Sequence, residues 1–298
     1  MVVTISLVLI LSFLSFSVAA WLMPLASRNF ASTLRLNTIP LGHLFYDAAA
    51  GLPLLFLVVG AAMAGDGLLA QRIAFAGAAV ALLLPAAIAA LVSKAPPGEV
   101  DEVSLRVALS AFLAFVLIAI QFNFFATGVL LIYAFAAQAY YMLKMRVDVP
   151  EQREKSELGQ VFSVAIFVLA VIALAISSGP LAHELSITSE IFPIGVATFV
   201  LALMGVGLPG LTEGTSEKWL KSWNSRSGGA AVMLLTLGLG IAFLTSPVID
   251  IGSAVLAALV LAASIAFWIV PRSRNKKLVG AALLAILLAY FVLSLVFS

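Results

Sequence analysis

The sequence has no cysteine, only two histidines (His43 and His183), and few charges: Asp, Glu, Lys and Arg make up 10% of its 298 residues. Without cysteine there is no disulfide, thiolate zinc site, iron–sulfur cluster or thiol nucleophile. Two histidines exclude a His-rich metal site. A soluble domain carries about 25% charged residues, so this chain has too few to coat a water-facing surface. The formal net charge is only +2, which gives no reason to expect a nucleic-acid partner. Enzyme signatures are missing too: there is no aspartate-rich diphosphate motif, H-E-x-x-H, G-x-S-x-G or P-loop. The 14 acidic residues lie mostly between apolar runs and form no cluster for acid–base work. Neither an enzyme nor a bound cofactor is expected.

What the chain does have is hydrophobic sequence, 63% of it, with a mean hydropathy of +1.17. A spanning helix needs about 20 apolar residues. The runs that qualify are 2–23, 40–64, 72–93, 103–122, 124–145, 158–178, 189–209, 228–246, 251–270 and 278–297. They predict an all-α membrane protein with ten transmembrane helices. The stretch from Val103 to Met145 is too long for one span and is cut at Gln121-Phe122-Asn123, which reads as a tight turn. Residues 210–227 read as a polar loop with a short interfacial helix near Trp219 and Trp223. Ser17-Val18-Ala19-Ala20 has the form of a signal-peptidase site, but no Lys or Arg precedes Arg28, so the first run is expected to be a retained span.

Charge placement agrees with ten spans. Alternating the connections puts fifteen of the sixteen Lys and Arg residues on one side and leaves Arg72 alone on the other. The positive-inside rule makes the rich side cytoplasmic. A multi-pass protein of the cell membrane with both termini extracytoplasmic is expected.

The chain also divides in two. The most charged short segment, Val147 to Glu157, falls at the midpoint. An odd number of spans before it makes the second half enter the bilayer from the opposite side, the geometry of an inverted repeat. The expected organisation is a five-helix repeat over 1–146, a cytoplasmic linker over 147–157 and a second five-helix repeat over 158–298. Gly51-Leu52-Pro53 in span two is echoed 156 residues later by Gly207-Leu208-Pro209 in span seven. Proline removes a backbone donor and interrupts a helix. In lipid, such breaks persist where protein or a wet cavity supplies partners. Paired broken helices are where secondary transporters place substrate and ion sites, although a single Gly-Pro kink is ordinary in a membrane helix.

Ionisable residues within spans are few. Asp47 lies six residues before Pro53, with His43 one turn earlier on the same face. This pair either relays protons or binds a cation, or is solvated at the cytoplasmic end of span two. Glu213 follows Pro209 by four residues and either caps the broken helix or sits in a loop. The candidate path therefore consists of His43, Asp47, Gly51, Pro53, Gly207, Pro209 and Glu213. Glu190 and Asp250 read as helix-dipole partners. Gln121, Asn123, Thr198 and Thr236 are neutral candidates, with Thr more often bonded to its own backbone. The Phe-rich stretch Phe112 to Phe135 reads as lipid-facing or packing surface. Trp21, Trp219 and Trp223 fit interfacial belts.

At these residues the sequence resembles the sodium/calcium and cation/proton exchanger superfamily. The likeness runs through Arg35 to Gly42, Gly51-Leu52-Pro53 and Gly60 to Gly65 in the first half. In the second half it runs through Gly205-Val206-Gly207-Leu208-Pro209 and Ser227-Gly228-Gly229 leading to Leu237-Gly238. The resemblance implies ten spans in an inverted five-plus-five repeat, with transport by alternating access. It departs at the chemistry. The glutamate that follows each proline in the family is Leu54 in one half and Gly210 in the other. Ala76-Gly77-Ala78 and Gly229 stand where the family has asparagines. Calcium takes six to eight oxygens, usually with carboxylates among them. The expected function is therefore a secondary transporter with an altered or lost cation site, its partners the lipid bilayer and a cation or small solute. A non-transporting relative that binds a partner or lipid is one alternative, and a ten-span drug/metabolite-type transporter is another.

Overall fold

The computed structural model describes residues 7–33, 49–92, 102–144, 160–188, 193–208, 227–245, 251–269, 273 and 275–297. These residues form ten helical segments: α1 (Leu7–Thr33), α2 (Leu52–Met63), α3 (Gly67–Val92), α4 (Glu102–Ala119), α5 (Phe124–Lys144), α6 (Gln160–Thr188), α7 (Ile194–Gly207), α8 (Ser227–Thr245), α9 (Ile251–Ile269) and α10 (Lys276–Val296). No strand occurs among the described residues. Seven of the helices are long and apolar enough to cross a membrane, and α2, α4 and α7 are shorter apolar helices. The protein is a multi-pass α-helical membrane protein.

Small side chains decide the centre of the bundle. Helix α3 carries Ala70, Ala74, Ala76, Gly77, Ala78, Ala79, Ala81, Ala86 and Ala87, all of them buried. Small residues let membrane helices approach closely, and α2, α7, α8, α9 and α10 all pack on α3. Its apolar stretch is 89% buried, against 22% for α5, which makes α3 the central rod and α5 peripheral. The most extensive pairing is between α1 and α6, and α3 with α10, α3 with α7, α5 with α8 and α4 with α9 also pair extensively.

Polar residues set the helix ends. Gly65 takes φ +83°, where a glycine avoids the cost of a Cβ, and Asp66 N donates to Ala61 O to close α2. Asp66 then caps α3, its Oδ1 accepting from Leu69 N at 2.9 Å. The turn expected at Gln121-Phe122-Asn123 is present: Gln121 takes φ +47° and Asn123 Oδ1 accepts from Ala126 N at 3.2 Å. Asn123 and Gln121 are thus exposed turn residues, not lining of a path.

Three expected runs fall short of the helices. The third is 72–93, but α3 begins at Gly67, just after the Asp66 cap. The first is 2–23, but α1 continues to Thr33 with Pro24 inside it, and the sixth is 158–178, but α6 continues to Thr188 with Pro180 inside it. Helices of 27 and 29 residues are roughly 40 Å long, longer than the ~30 Å hydrocarbon core. Hydropathy stops at the first polar residues, whereas these helices continue because each packs along the other. Trp21 consequently lies exposed near the middle of α1 and not at its end.

Contacts between helix ends give the relative directions. Ser253 Oγ, at the start of α9, donates to Gln71 Oε1 near the start of α3 at 3.1 Å. Arg72 Nη2 donates to Phe297 O after the end of α10, and Gly195 at the start of α7 abuts the Ser294 carbonyl. At the opposite end, Gly228 of α8 abuts Val103 of α4, and Gly280 of α10 abuts Ala87 and Leu91 near the end of α3.

Candidate functional site

The chain turns where its first Gly-Leu-Pro predicts a break. Ala49 is helical, Ala50 and Gly51 form a turn, and α2 restarts at Leu52 with Pro53 in its first turn, where a missing N–H costs nothing. Leu55 N donates to Gly51 O at 3.0 Å. Gly51 packs closely on α8: a Cβ there would lie 2.6 Å from Met233 Cε and 3.1 Å from Ala230 Cα.

In the second half the chain reaches Gly207 through a widened turn. Leu203–Gly207 at the end of α7 is π-helical, and so is Leu234–Gly238 within α8. Such π segments mark an insertion into the regular ladder and recur at functional sites. A Cβ on Gly207 would lie 3.0 Å from both Val80 Cγ1 and Leu84 Cδ2 of α3.

One leucine joins the two places. Leu54, immediately after Pro53, is fully buried. A Cβ on Gly205 of α7 would stand 2.8 Å from Leu54 Cδ2, with Phe16 Cζ of α1 at 3.5 Å. A Cβ on Gly77 of α3 would stand 2.6 Å from Leu54 Cδ1 and 2.7 Å from Leu234 Cδ1 of α8. Three residues past the first break, the chain therefore touches α7 two residues before Gly207. Leu54 and Leu234 fill the notch left by the two glycines, and the place is apolar among the described side chains.

The hydroxyls nearby are spent locally. Thr236 Oγ1, buried within the π segment of α8, donates to Val232 O at 2.6 Å. Thr198 Oγ1 donates to Ile194 O at 2.9 Å. Ser178 Oγ donates to Leu174 O at 2.6 Å, and its own carbonyl faces α2, where a Cβ on Gly60 would lie 2.8 Å from Ser178 O.

Of the sequence candidates, the fold thus brings Gly51 and Pro53 to the same region as Gly207. His43, Asp47, Pro209 and Glu213 lie outside the described residues, as do Glu190, Asp250, Trp219 and Trp223. Among the described residues no three His, Cys, Asp or Glu side chains group as metal ligands would. Sequence reasoning singles out Leu54 as a lost ligand and names Gly77 and Gly205 within the resemblance, but it does not bring them together and misses Leu234 and Phe16, which complete the surroundings. The two helical glycines were the available signal, since glycine inside a helix marks close approach.

No protein-family model matches the sequence, and no curated protein matches it. Solved structures do. The proton/calcium exchanger CAX superposes with a TM-score of 0.67 at 16% identity, over 95% of this chain and 87% of that one. The sodium–calcium exchanger NCX_Mj, soaked with sodium and strontium, gives 0.64 at 13% identity over 95% and 96%. Native YfkE gives 0.62 at 17% identity over 99% and 97%. Identities this low speak to architecture alone, but the match runs the length of the chain. The helices of this protein therefore adopt the fold of the sodium–calcium and proton–calcium exchangers.

Proposed function

We propose that this protein is a multi-pass membrane secondary transporter of exchanger architecture whose central site no longer holds calcium through carboxylates. The observation that carries the reading is Leu54, buried against Gly77 and Gly205 where the broken helix α2 meets the π-helical end of α7. Calcium prefers a carboxylate-rich shell of six to eight oxygens, and position 54 gives it a hydrocarbon. A turn at Ala50–Gly51 and two π segments interrupt the regular helical ladder around the notch, and backbone carbonyl oxygens suit a monovalent cation or a weakly polar solute. His43, Asp47, Gly51, Pro53, Gly207, Pro209 and Glu213 form the proposed path, with Asp47 and His43 as its titratable pair.

We further propose ten spans in two inverted five-helix repeats, 1–146 and 158–298, joined by a cytoplasmic linker over 147–157. Helix pairing supports this. Helices α1 and α6, first in their halves, pack on each other, and so do α4 and α9. Each fifth helix packs on the third helix of the other half, α5 on α8 and α10 on α3. Pro24 in α1 and Pro180 in α6 are 156 residues apart, the spacing of the Gly-Leu-Pro pair. The lone Arg72 lies at one end, and Arg106, Lys144, Lys276 and Lys277 lie toward the other. Under the positive-inside rule the Arg72 end faces out of the cell membrane, with both termini.

The test is flux in proteoliposomes carrying a proton, sodium or potassium gradient, read with an internal pH or cation reporter. Gradient-dependent flux lowered by Asp47→Asn supports the proposal. A second reading, a non-transporting membrane protein, is favoured by the apolar filling of the site by Leu54, Leu234 and Phe16. Absence of flux for every ion tested selects it and ends the transporter proposal.

A further inference from the structure

The hairpin of α4 and α5 carries a partly buried polar cluster between its two helices that the central site does not use. Helix α4 packs chiefly on α9, and α5 on α8. Across the hairpin, Gln138 Nε2 donates to Ser110 Oγ at 2.9 Å, and Ser110 Oγ donates to Arg106 O at 2.8 Å. One turn nearer the open end of the hairpin, Arg106 Nη1 donates to Met142 Sδ. A thioether is a weak acceptor for the always-charged guanidinium. Arg106 Nε and Gln138 Oε1 are both buried with no hydrogen-bond partner.

Depth and surroundings identify what suits this cluster. Arg106 is four residues into α4, about 6 Å from the helix start, and exposed Lys144 ends the facing helix. This is the end toward which basic residues gather. Tyr140 and Tyr141 are exposed there, as aromatic side chains at a headgroup boundary are. Leu105, Leu109 and Phe112 present an exposed apolar strip on α4 beside the cluster. An arginine fork at headgroup depth, next to a strip for acyl chains, matches a phosphate esterified to a lipid.

We infer that the α4–α5 hairpin holds an anionic phospholipid, with its phosphate on Arg106 and its acyl chains along Leu105, Leu109 and Phe112. Gln138 and Ser110 are positioning residues that fix the two helices around the arginine. Met142 occupies the place of the phosphate oxygen when no lipid is bound. The inference is independent of what, if anything, the protein transports.

The experiment uses the full chain purified in detergent, with dioleoylphosphatidylglycerol or dioleoylphosphatidylcholine added and bound lipid counted by native mass spectrometry. The wild type is expected to retain the anionic lipid in preference to phosphatidylcholine. Arg106→Gln should weaken that retention about tenfold, the scale of one charge-assisted hydrogen bond. Arg106→Lys should fall between the two, because it keeps the charge and loses the fork. Met142→Leu should not weaken retention, because it removes the thioether that competes with the phosphate for Arg106. Glu102, one turn before Arg106 in the sequence, is the nearest carboxylate along the chain, and Glu102→Gln should not weaken retention. Thermal unfolding in detergent alone checks that each variant is folded. Equal retention of the two lipids, unchanged retention in folded Arg106→Gln, or displacement of the lipid by millimolar inorganic phosphate would each overturn the inference.

Discussion

Leu54 and Gly205 touch across the middle of the bundle so closely that a methyl group on the glycine would stand 2.8 Å from the leucine's Cδ2. The contact joins the helix restarted by Pro53 to the π-helical end of α7. It also sets the first expectation. Leu54 is fully buried, and replacing its isopropyl group with hydrogen leaves a cavity that rigid neighbours cannot close. Leu54→Ala should cost about 2–5 kcal/mol, seen as a lowered thermal midpoint in detergent. A midpoint equal to that of the wild type would show that the leucine does not pack as described.

The proposed repeat makes a paired prediction. Gly128 and Gly280 are each the fifth residue of their helix, α5 and α10. A Cβ on Gly128 would lie 2.8 Å from the Gly240 carbonyl of α8, and one on Gly280 would lie 2.9 Å from the Ala87 carbonyl of α3. Backbone cannot move aside as a side chain can. Gly128→Val and Gly280→Val should both destabilise, by about 1–3 kcal/mol. Similar losses in thermal stability are expected, and a loss at one site alone would count against the equivalence of the two halves.

Gly60 offers a third test. It lets α2 lie against the Ser178 carbonyl and Gly179 of α6, so Gly60→Leu should separate the restarted helix from α6. Reduced yield of folded protein and a lowered thermal midpoint are the expected outcomes, against little change for Met63→Leu on the exposed face.

Having no cysteine, the chain is its own background for topology. Met63→Cys, exposed near the Arg72 end, should react with a membrane-impermeant maleimide added to intact cells. Lys144→Cys should react only after the cells are opened. The reverse pattern would invert the orientation.

Much of this architecture was legible in the sequence for physical reasons. Long apolar runs form helices because lipid leaves the backbone no other partner. The Gln121 to Asn123 turn and the restart at Pro53 were readable from residue type, and the exchanger frame from the resemblance that the glycine and proline segments carry. The extensions of α1 and α6 were not, because proline and the polar residues beyond it look like a terminus until a neighbouring helix covers them. The 156-residue spacing of Pro24 and Pro180 carried that information and matches Gly51 to Gly207. The π turns at Leu203–Gly207 and Leu234–Gly238 arise from packing and have no local signature. Nor does sequence say that Leu54 and Leu234 occupy one notch, since that depends on which glycines of three helices meet. The acidic candidates Asp47 and Glu213 were named from sequence and stand as proposals.

The proposed loss of a carboxylate calcium site is tested most directly by radiolabelled calcium uptake. Proteoliposomes containing the purified chain are loaded with sodium, or with acid buffer, and diluted so that either gradient can drive exchange. Uptake no greater than that of protein-free vesicles is the result the proposal expects, because the sequence resemblance puts Leu54 and Gly210 where the family has glutamates. Saturable, gradient-dependent calcium uptake would contradict the account.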